Sequence, residues 1–199
     1  MEFIKYSFRY AEDIMKTNCP QQLIEIFSTL QSITDQEIID EYNSIHNDRQ
    51  KSISSALNRI IKRKLISLGW NSESNIFIFD NDFTTNEKSS WRLDFAKDNI
   101  AIEVAFNHSG VIAWNLIKPV LSSELNHVKK AIQTDFGVII TATNDLKIKG
   151  GFDNSIGTYE KFIDYLEPLR NLLTVPILII GLQAPQTFII EDKKIKMRD

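Results

Sequence analysis

Two short runs of almost purely apolar residues, 136–141 and 176–182, constrain the fold of this chain more than any other feature. Each run has the length of a β-strand, and neither shows the alternation of apolar and polar residues that a half-exposed strand requires. Such runs are typical of strands that are buried on both faces, with helices packed above and below the sheet. The chain is therefore predicted to be an α/β protein with a central mixed β-sheet flanked by helices.

Helical segments are predicted around these runs from the spacing of apolar residues and from capping signals. The clearest is residues 51–68, where apolar side chains recur with helical spacing, and Gly69 is placed to end it. Pro20 suits the first position of a helix, and Thr34 with Glu37 matches a capping box for the next one. The other predicted elements are a short strand around Tyr6 and Phe8, helices at 21–31, 35–42, 113–131 and 158–173, strands at 75–80, 187–190 and 195–197, and polar loops at 81–90 and 144–157.

The length and composition favour one domain. The 199 residues include 43% hydrophobic residues, which suffice for a core. We expect a helical N-terminal part over 1–50, a core over 51–182 and a hairpin or edge pair over 183–199. No run approaches the roughly 18 apolar residues of a membrane span, and we see no secretion signal, so a cytoplasmic protein is expected. The single cysteine, Cys19, excludes an intrachain disulfide.

The net charge of −3 argues against a protein that binds nucleic acid through overall charge alone. It does not exclude an enzyme that grips nucleic acid locally, because acidic metal ligands subtract from the net charge and a cleft can be basic in an acidic protein.

Acidic residues are set inside an apolar framework at one place, residues 91–107. Their alternation is typical of two strands joined by a tight turn at Asp98-Asn99, a turn-prone pair. That turn places Asp94 opposite Glu103, with the Cβ atoms about 4.5–5.5 Å apart. Two carboxylates at this distance repel each other unless a proton or a cation lies between them. A hard cation such as Mg²⁺, which prefers oxygen ligands, is a natural occupant.

The spacing from Asp94 to Ala105 approximates the PD-(D/E)xK arrangement of metal-dependent nucleases. In that arrangement two carboxylates and a backbone carbonyl bind one or two Mg²⁺ ions, and a third side chain helps to activate water. By itself the spacing is a weak signal, because acidic pairs are common at hairpins. A purely structural interpretation, in which Asp94 caps the turn and Glu103 pairs with Arg92, stays open on these residues alone.

The sequence Leu-Asp-Phe-Ala-Lys-Asp-Asn-Ile-Ala-Ile-Glu-Val-Ala-Phe, residues 93–106, closely resembles the catalytic hairpin of the BglII/BstYI family of type II restriction endonucleases. The preceding basic helix, which ends in Leu-Gly-Trp, also resembles its counterpart there. The resemblance covers roughly residues 50–182, and its most specific part is the hairpin followed by the two buried strands in this order. Its other matching segments are 134–141, 155–160 and 175–182.

This resemblance implies a homodimeric, Mg²⁺-dependent endonuclease with a restriction-endonuclease-like PD-(D/E)xK core. Such an enzyme would cut both strands of a short palindromic site in double-stranded DNA and leave a 5′-phosphate. A cognate DNA methyltransferase would belong to the same system. Asp94 and Glu103 match the metal ligands of the family, and the backbone carbonyl of Val104 would be the third oxygen.

Ala105 departs from the family, which typically has Gln, Glu or Lys at this catalytic position. An alanine can neither position nor deprotonate a water molecule. Three interpretations stay open: an engineered inactivating change, a natural change that passes the role to metal-bound water or to another group, or a protein that binds DNA without cutting it. The substitutes considered are His108, Lys97 and Glu124.

Residues expected to contact DNA lie in three segments. Residues 107–109 follow the catalytic strand and match a segment that contacts bases, and 144–158 matches a recognition loop whose glycines permit close approach. The helix 51–68 has a basic side and no acidic residue of its own to neutralise it. Ordinary polar turns, a surface loop and a solvated face are the alternatives. The candidate residues are Asn107, His108, Ser109, Lys51, Arg59, Lys62, Arg63, Lys147, Lys149, Asn154 and Ser155.

The helix after Ala113 is the candidate dimer surface, with simple core packing as the equal alternative. Its apolar residues are Trp114, Leu116, Ile117 and Leu121. A dimer suits a palindromic site because both have two-fold symmetry. The competing functions are a PD-(D/E)xK nuclease of DNA repair or recombination and a catalytically inactive, sequence-specific DNA-binding protein.

Overall fold

A computed structural model describes residues 1–45, 51–78, 91–124 and 128–198 of the chain. Its helices are α1 (Ala11–Asn18), α2 (Pro20–Gln31), α3 (Asp35–Ser44), α4 (Ser54–Ser67), α5 (Ile112–Ser123), α6 (Asn144–Lys149) and α7 (Tyr159–Leu166). Its strands are β1 (Phe3–Phe8), β2 (Asn71–Asn75), β3 (Arg92–Lys97), β4 (Ile100–Val104), β5 (Phe136–Ala142), β6 (Ile177–Leu182), β7 (Phe188–Glu191) and β8 (Lys194–Met197). Within these ranges no helix combines the length and the apolar character that crossing a membrane requires.

Six strands form one mixed sheet in the order β1-β6-β5-β4-β3-β2. The central strands β4, β5 and β6 are parallel, while β1, β3 and β2 pair antiparallel with their neighbours. The two apolar runs of the sequence are β5 and β6, and every residue of both strands is buried. This confirms the predicted α/β fold with a central mixed sheet.

Both faces of the sheet are covered, because successive side chains of a strand point to opposite faces. On one face Val138 and Ile140 of β5 join a large core with the apolar sides of α2 and α4. On the other face Ile139 packs with residues of α5 and α7, such as Leu116 and Phe162. The nearly complete absence of polar residues from β5 and β6 therefore follows from the two apolar layers that cover these strands; the one exception, Thr141, is buried and donates to the Ala105 carbonyl.

The N-terminal helices begin where the capping signals predict. Pro20 occupies the first turn of α2, and the Thr34 hydroxyl accepts a hydrogen bond of 3.1 Å from the Glu37 N–H at the start of α3. Helix α4 ends before Gly69, whose φ of +84° is strained for any residue with a side chain. At the C-terminus β7 and β8 form a separate antiparallel hairpin.

The predicted strand at 75–80 is wrong in its position over the described residues, because β2 covers Asn71–Asn75 instead; residues 79 and 80 lie outside the described residues. The segment is polar, and it is the edge strand of the sheet, so its outer side needs no apolar partner. Residues 76 and 77 do enter the core, but they follow the strand. The polar loop predicted at 81–90 lies outside the described residues.

Two predicted helices end early. Helix α5 stops at Ser123, not at residue 131, and Lys130 forms a bridge with Phe77 in extended conformation. Helix α7 ends at Leu166, just before Pro168, whose ring is incompatible with a continuing helix. In both cases apolar residues continue at helical spacing in the sequence after the helix has ended, so the spacing alone predicts too long a helix.

The predicted polar loop at 144–157 is wrong in its first half, which forms α6. The Thr143 hydroxyl caps this helix by accepting a hydrogen bond of 3.2 Å from the Leu146 N–H. Leu146 is buried in the main core, so one apolar contact anchors a helix too short to show periodicity.

Candidate active site

The hairpin of β3 and β4 has the predicted register. Phe95 pairs with Ile102 and Lys97 with Ile100, so the same register places Asp94 opposite Glu103. Asp98 takes a positive φ of 48° in the turn. At the open end of the hairpin, the Asp94 carboxylate accepts a hydrogen bond of 2.7 Å from the Val104 N–H. The strand ladder thus positions both carboxylates at one end of the sheet.

Burial makes the negative charge of these carboxylates costly. The Glu103 side chain is 2% exposed, and burial together with the nearby charge of Asp94 raises its pKa to about 8, against the opposing charge of Lys118. Burial also raises the pKa of Asp94, although the Val104 hydrogen bond and the Lys118 charge oppose it. Oε1 of Glu103 is buried without a hydrogen-bond partner.

These features fit a bound cation. A buried carboxylate oxygen without a partner costs free energy unless a cation or a hydrogen-bond donor contacts it. The side-chain atoms that could bind a metal here are oxygens, which Mg²⁺ prefers as ligands. Among the described residues no group of three or more His, Cys, Asp or Glu side chains is arranged to hold a metal. The set of Asp94, Glu103 and the Val104 carbonyl therefore suits an ion that keeps several water molecules as ligands.

Lys118 is the site residue that the sequence analysis missed. It projects from α5, and its Nζ donates a hydrogen bond of 2.6 Å to Oε2 of Glu103. The Lys118 side chain is only 12% exposed. One signal was present in the sequence, because Lys118 is the single charged residue between positions 109 and 123. A lone charge in an otherwise apolar helix needs a partner, but the sequence does not say which one.

Ala105 does not face an open cleft. It is 1% exposed and belongs to the apolar cluster that includes Ile112, Leu116 and Ile139. Its N–H donates to the Ile140 carbonyl at 2.8 Å. Helix α5 therefore covers the position at which the family carries its third polar side chain.

Of the three residues that could substitute for Ala105, two make hydrogen bonds to other groups and the third is exposed. Nδ1 of His108 accepts a hydrogen bond of 2.9 Å from the Gly110 N–H. Nζ of Lys97 contacts both oxygens of Glu25, at 2.8 and 3.0 Å. Glu124 is exposed just beyond the end of α5.

Helix α4 lines one side of the carboxylate pair. A cleft of about 270 Å³ is bounded by Asn58 and Lys62 of α4, Glu73 of β2, and Asp94, Phe95 and Val104. The Lys62 charge also helps to lower the pKa of Asp94, although burial dominates. The structure thus brings one predicted DNA-binding lysine to the site.

The basic side of α4 has no acidic residue of its own, but acidic residues of α3 neutralise part of it. Arg63 contacts Glu41 at 2.9 Å and Glu37 at 3.1 Å, and Arg59 lies 3.6 Å from Glu41. The acids come from α3, which packs beside α4 but is separated from it in sequence. A role of Arg59 and Arg63 in DNA binding stays a prediction.

Two predicted recognition segments lie side by side. His108 forms an antiparallel bridge with Ile156, and backbone hydrogen bonds join Ser109 to Ser155 at 2.8 Å and Gly157 to Asn107 at 2.9 Å. Lys51 and Asn154 line an adjoining cleft of about 400 Å³. Residues from three separate parts of the sequence therefore share one surface.

Lys147 and Lys149 lie on α6 and not in a loop. Lys149 is paired with Asp145 at 2.9 Å and lines a different cleft with Glu160. Gly151 has a φ of +70°, and a Cβ there would lie 2.7 Å from the Lys51 carbonyl. The absence of a side chain at Gly151 thus allows the backbone of Lys51 in the same chain to approach closely.

The apolar residues of α5 contribute to the core. Leu116 is fully buried, Ile117 packs against the same cluster, and Leu121 packs against a smaller cluster at the hairpin. The Trp114 ring lies 5.0 Å from the Trp91 ring. These contacts support core packing, and a dimer surface on this helix stays a prediction.

The fold and the site define a nuclease-type core of the PD-(D/E)xK class: a mixed sheet whose hairpin carries a buried carboxylate pair. Within that class the chain belongs to the restriction endonuclease family described as BglII/BglIII, whose model matches residues 3–182. This confirms the family that the sequence analysis predicted.

Two solved structures are similar to the chain in fold. One is restriction endonuclease BglII complexed with a DNA 16-mer, at 22% identity and a TM-score of 0.65, with 100% of this chain and 89% of that chain covered. The other is free BglII, at 22% identity and a TM-score of 0.55, with 100% and 92% covered. A search of curated proteins found no match.

Proposed function

We propose that this chain is a Mg²⁺-dependent, sequence-specific type II restriction endonuclease that cuts both strands of a short palindromic site in double-stranded DNA. The observation that carries the proposal is the pair of half-buried Asp94 and buried Glu103 on the β3–β4 hairpin of a chain that belongs to this family. The ion pair with Lys118 meets only one oxygen of Glu103, and it leaves Oε1 without a partner beside a second carboxylate.

In the proposed reaction Asp94, Glu103 and the Val104 carbonyl hold Mg²⁺. When bound, Mg²⁺ neutralises charge on a phosphoryl oxygen and lowers the pKa of a water molecule. The Val104 N–H orients Asp94, and Lys118 orients Glu103. Ala105 supplies no polar group, so in the proposed reaction the water would be activated by the metal ion or by another residue of the chain.

The paired segments 107–109 and 155–157 form the proposed surface for base contacts, because amide and hydroxyl side chains suit the edges of bases in the major groove. Lys62 and Lys51 would contact phosphates beside it. A homodimer would place two such sites on a palindrome with matching symmetry. A methyltransferase of the same specificity would protect the host DNA, in a cytoplasmic restriction–modification system.

The proposal is tested by digesting a long plasmid of mixed sequence in the presence of Mg²⁺. Discrete fragments are expected from wild type. The variant Asp94→Asn should cut at least about 100-fold more slowly, because it removes one charge that holds the cation. Asp164→Asn is the control, since Asp164 is exposed on α7.

Two other outcomes would favour the alternatives. Nicking that depends on branched or damaged DNA would support a repair or recombination nuclease. Tight binding to one short site without any cutting would support the DNA-binding protein that Ala105 suggests. If Asp94→Asn cuts as fast as wild type, the metal site is assigned to the wrong residues.

A further inference from the structure

The family position for the third catalytic side chain is closed by packing in this chain. Ala105 is 1% exposed and lies in the cluster formed by Ile112, Leu116 and Ile139. Two hydrogen bonds hold its backbone: the Thr141 hydroxyl donates to the Ala105 carbonyl at 2.9 Å, and the Ala105 N–H donates to the Ile140 carbonyl at 2.8 Å. A longer side chain at 105 would have to enter this cluster, so a small residue is required where α5 rests on β4.

Helix α5 runs antiparallel along β4 and delivers polar side chains to it. Nδ2 of Asn115 donates to Oδ1 of Asn107 at 3.2 Å, and Nζ of Lys118 donates to Oε2 of Glu103 at 2.6 Å. Residues three apart lie on the same side of a helix. The same helix that closes the space at Ala105 therefore carries a lysine to the adjacent carboxylate.

The two carboxylate oxygens of Glu103 differ in their contacts. Oε2 receives Lys118, while Oε1 has no partner. The Lys118 charge also acts on Asp94. Lys62, the other lysine near the pair, is exposed, whereas Lys118 is 12% exposed and hydrogen-bonded. Lys118 is therefore the better-ordered cation of the two.

We infer that Lys118 is the third catalytic residue of this chain and takes the place of the polar side chain that Ala105 lacks. The inference rests on the proposed nuclease function. The ammonium group contacts the scissile phosphate and the attacking water, keeps that water in line, and stabilises the negative charge that develops on the phosphoryl oxygens. Its contact with Glu103 holds the group in place before DNA arrives.

The reaction that Lys118 assists is the addition of one water molecule to a phosphodiester. The water oxygen forms a bond to phosphorus, and the bond from phosphorus to O3′ breaks with its electron pair on O3′. The attacking water gives one proton to solvent, and O3′ takes one from solvent. Lys118 keeps its charge throughout, so it acts by position and electrostatics.

The test compares wild type with Lys118→Met, which keeps the length of the side chain but removes its charge and its donor. The substrate is a duplex carrying the site that the plasmid digest identifies. Single-turnover cleavage with enzyme in excess separates the maximal rate from the half-saturating enzyme concentration. Thermal melts without metal show whether each variant folds. Lys5→Met is the matched control. It also removes a lysine that is paired with a glutamate, Glu12, at 2.7 Å, but Lys5 lies on β1, at the opposite edge of the sheet.

The inference expects the maximal rate of Lys118→Met to fall by about 100- to 1,000-fold, with half-saturation within about threefold of wild type. Lys118→Arg should recover part of the rate, and Lys5→Met should cut normally. If the Met variant does not fold, Lys118→Gln replaces it, because the amide still donates to Glu103 but has no charge, and a loss of at least about tenfold is expected.

Three results would overturn the inference. A folded Lys118→Met variant, or its Gln replacement, that cuts within threefold of wild type shows that Lys118 only neutralises Glu103. A loss that appears wholly in half-saturation shows a binding role. A wild-type protein that cuts no DNA overturns the nuclease proposal together with this inference, whereas the first two results leave the nuclease proposal standing.

Discussion

At the residue scale, the site depends on how one chain tolerates two carboxylates in a buried position. Asp94 is supported by the Val104 N–H and Glu103 by Lys118, yet Oε1 of Glu103 has no partner. Removing a partner from a buried charge is more costly than the pair itself is stabilising. The geometry therefore fits a protein whose charge balance is completed by a cation.

The closed position at Ala105 gives a testable prediction for Ala105→Gln. The longer side chain must enter the apolar cluster beneath α5, so the free energy of unfolding should fall by about 1–3 kcal/mol, and cleavage should not rise. Urea unfolding and the rate of plasmid cleavage measure these two effects.

The control for this substitution is Ala131→Gln, at an exposed alanine, which should unfold like wild type. A stable Ala105→Gln protein that cuts faster than wild type would mean that residue 105 opens onto the active site after all.

At the element scale, α2 holds the turn end of the β3–β4 hairpin through one buried carboxylate. Glu25 is 9% exposed and accepts hydrogen bonds from Nζ of Lys97 at 2.8 Å and Nε1 of Trp70 at 2.9 Å. Nζ of Lys97 also donates to the Leu68 carbonyl at 2.8 Å. A single group thus ties α2, the end of α4 and β3 together.

Glu25 gives the pH prediction. Burial raises the pKa of Glu25, but the bonds from Lys97 and Trp70 outweigh it and hold the pKa below its ordinary value. The charged form therefore stabilises the fold above the ordinary Glu pKa of about 4.3, and this contribution is lost as the pH falls through the lowered value. Glu25→Gln should cost about 1.5–3 kcal/mol at pH 7, and the difference from wild type should shrink towards pH 3.

Thermal or urea unfolding at several pH values measures this effect. The control is Glu2→Gln, at an exposed residue of the N-terminus, which should show no such dependence. A Glu25→Gln deficit that is equal at pH 7 and pH 3 would contradict the assigned role of the charge.

At the scale of the whole molecule, Lys62 of α4 and Asp94 line the same cleft, and the segment 107–109 that follows the hairpin pairs with 155–157. Each chain brings the Asp94–Glu103 pair once, so under the proposed function cutting both strands in one event requires two copies. Two-fold symmetry would give each strand its own site.

A mixed dimer tests this arrangement. Wild-type and Asp94→Asn chains carrying different affinity tags are mixed, refolded together and purified as the heterodimer. Because one subunit retains its carboxylate pair, the heterodimer should nick one strand at the site and produce double-strand breaks at least about tenfold more slowly than wild type. Conversion of supercoiled plasmid to open-circular and linear forms measures both events. A heterodimer that linearises plasmid as fast as wild type, or a chain that sediments as a monomer with its DNA, would exclude the arrangement.

Much of the fold was predictable because its determinants are local. The turn at Asp98-Asn99 sets the register of the hairpin. Thr34 caps α3 by accepting a hydrogen bond from the residue three positions later. The almost purely apolar composition of β5 marks it as buried on both faces. The edge strand β2 and the short helix α6 were not predicted correctly, because neither has an apolar period that distinguishes it from a loop.

The sequence by itself determined the carboxylate pair, the two buried strands and the gap at Ala105, since each depends on neighbours within one hairpin or one strand. Only the tertiary structure decided that Lys118 meets Glu103, that acids of α3 neutralise Arg63, and that residues 107–109 pair with 155–157. Each of these contacts joins two different elements of the chain. Spacing within one segment carries no information about which distant segment will pack against it, because the sheet order and the helix packing set that choice.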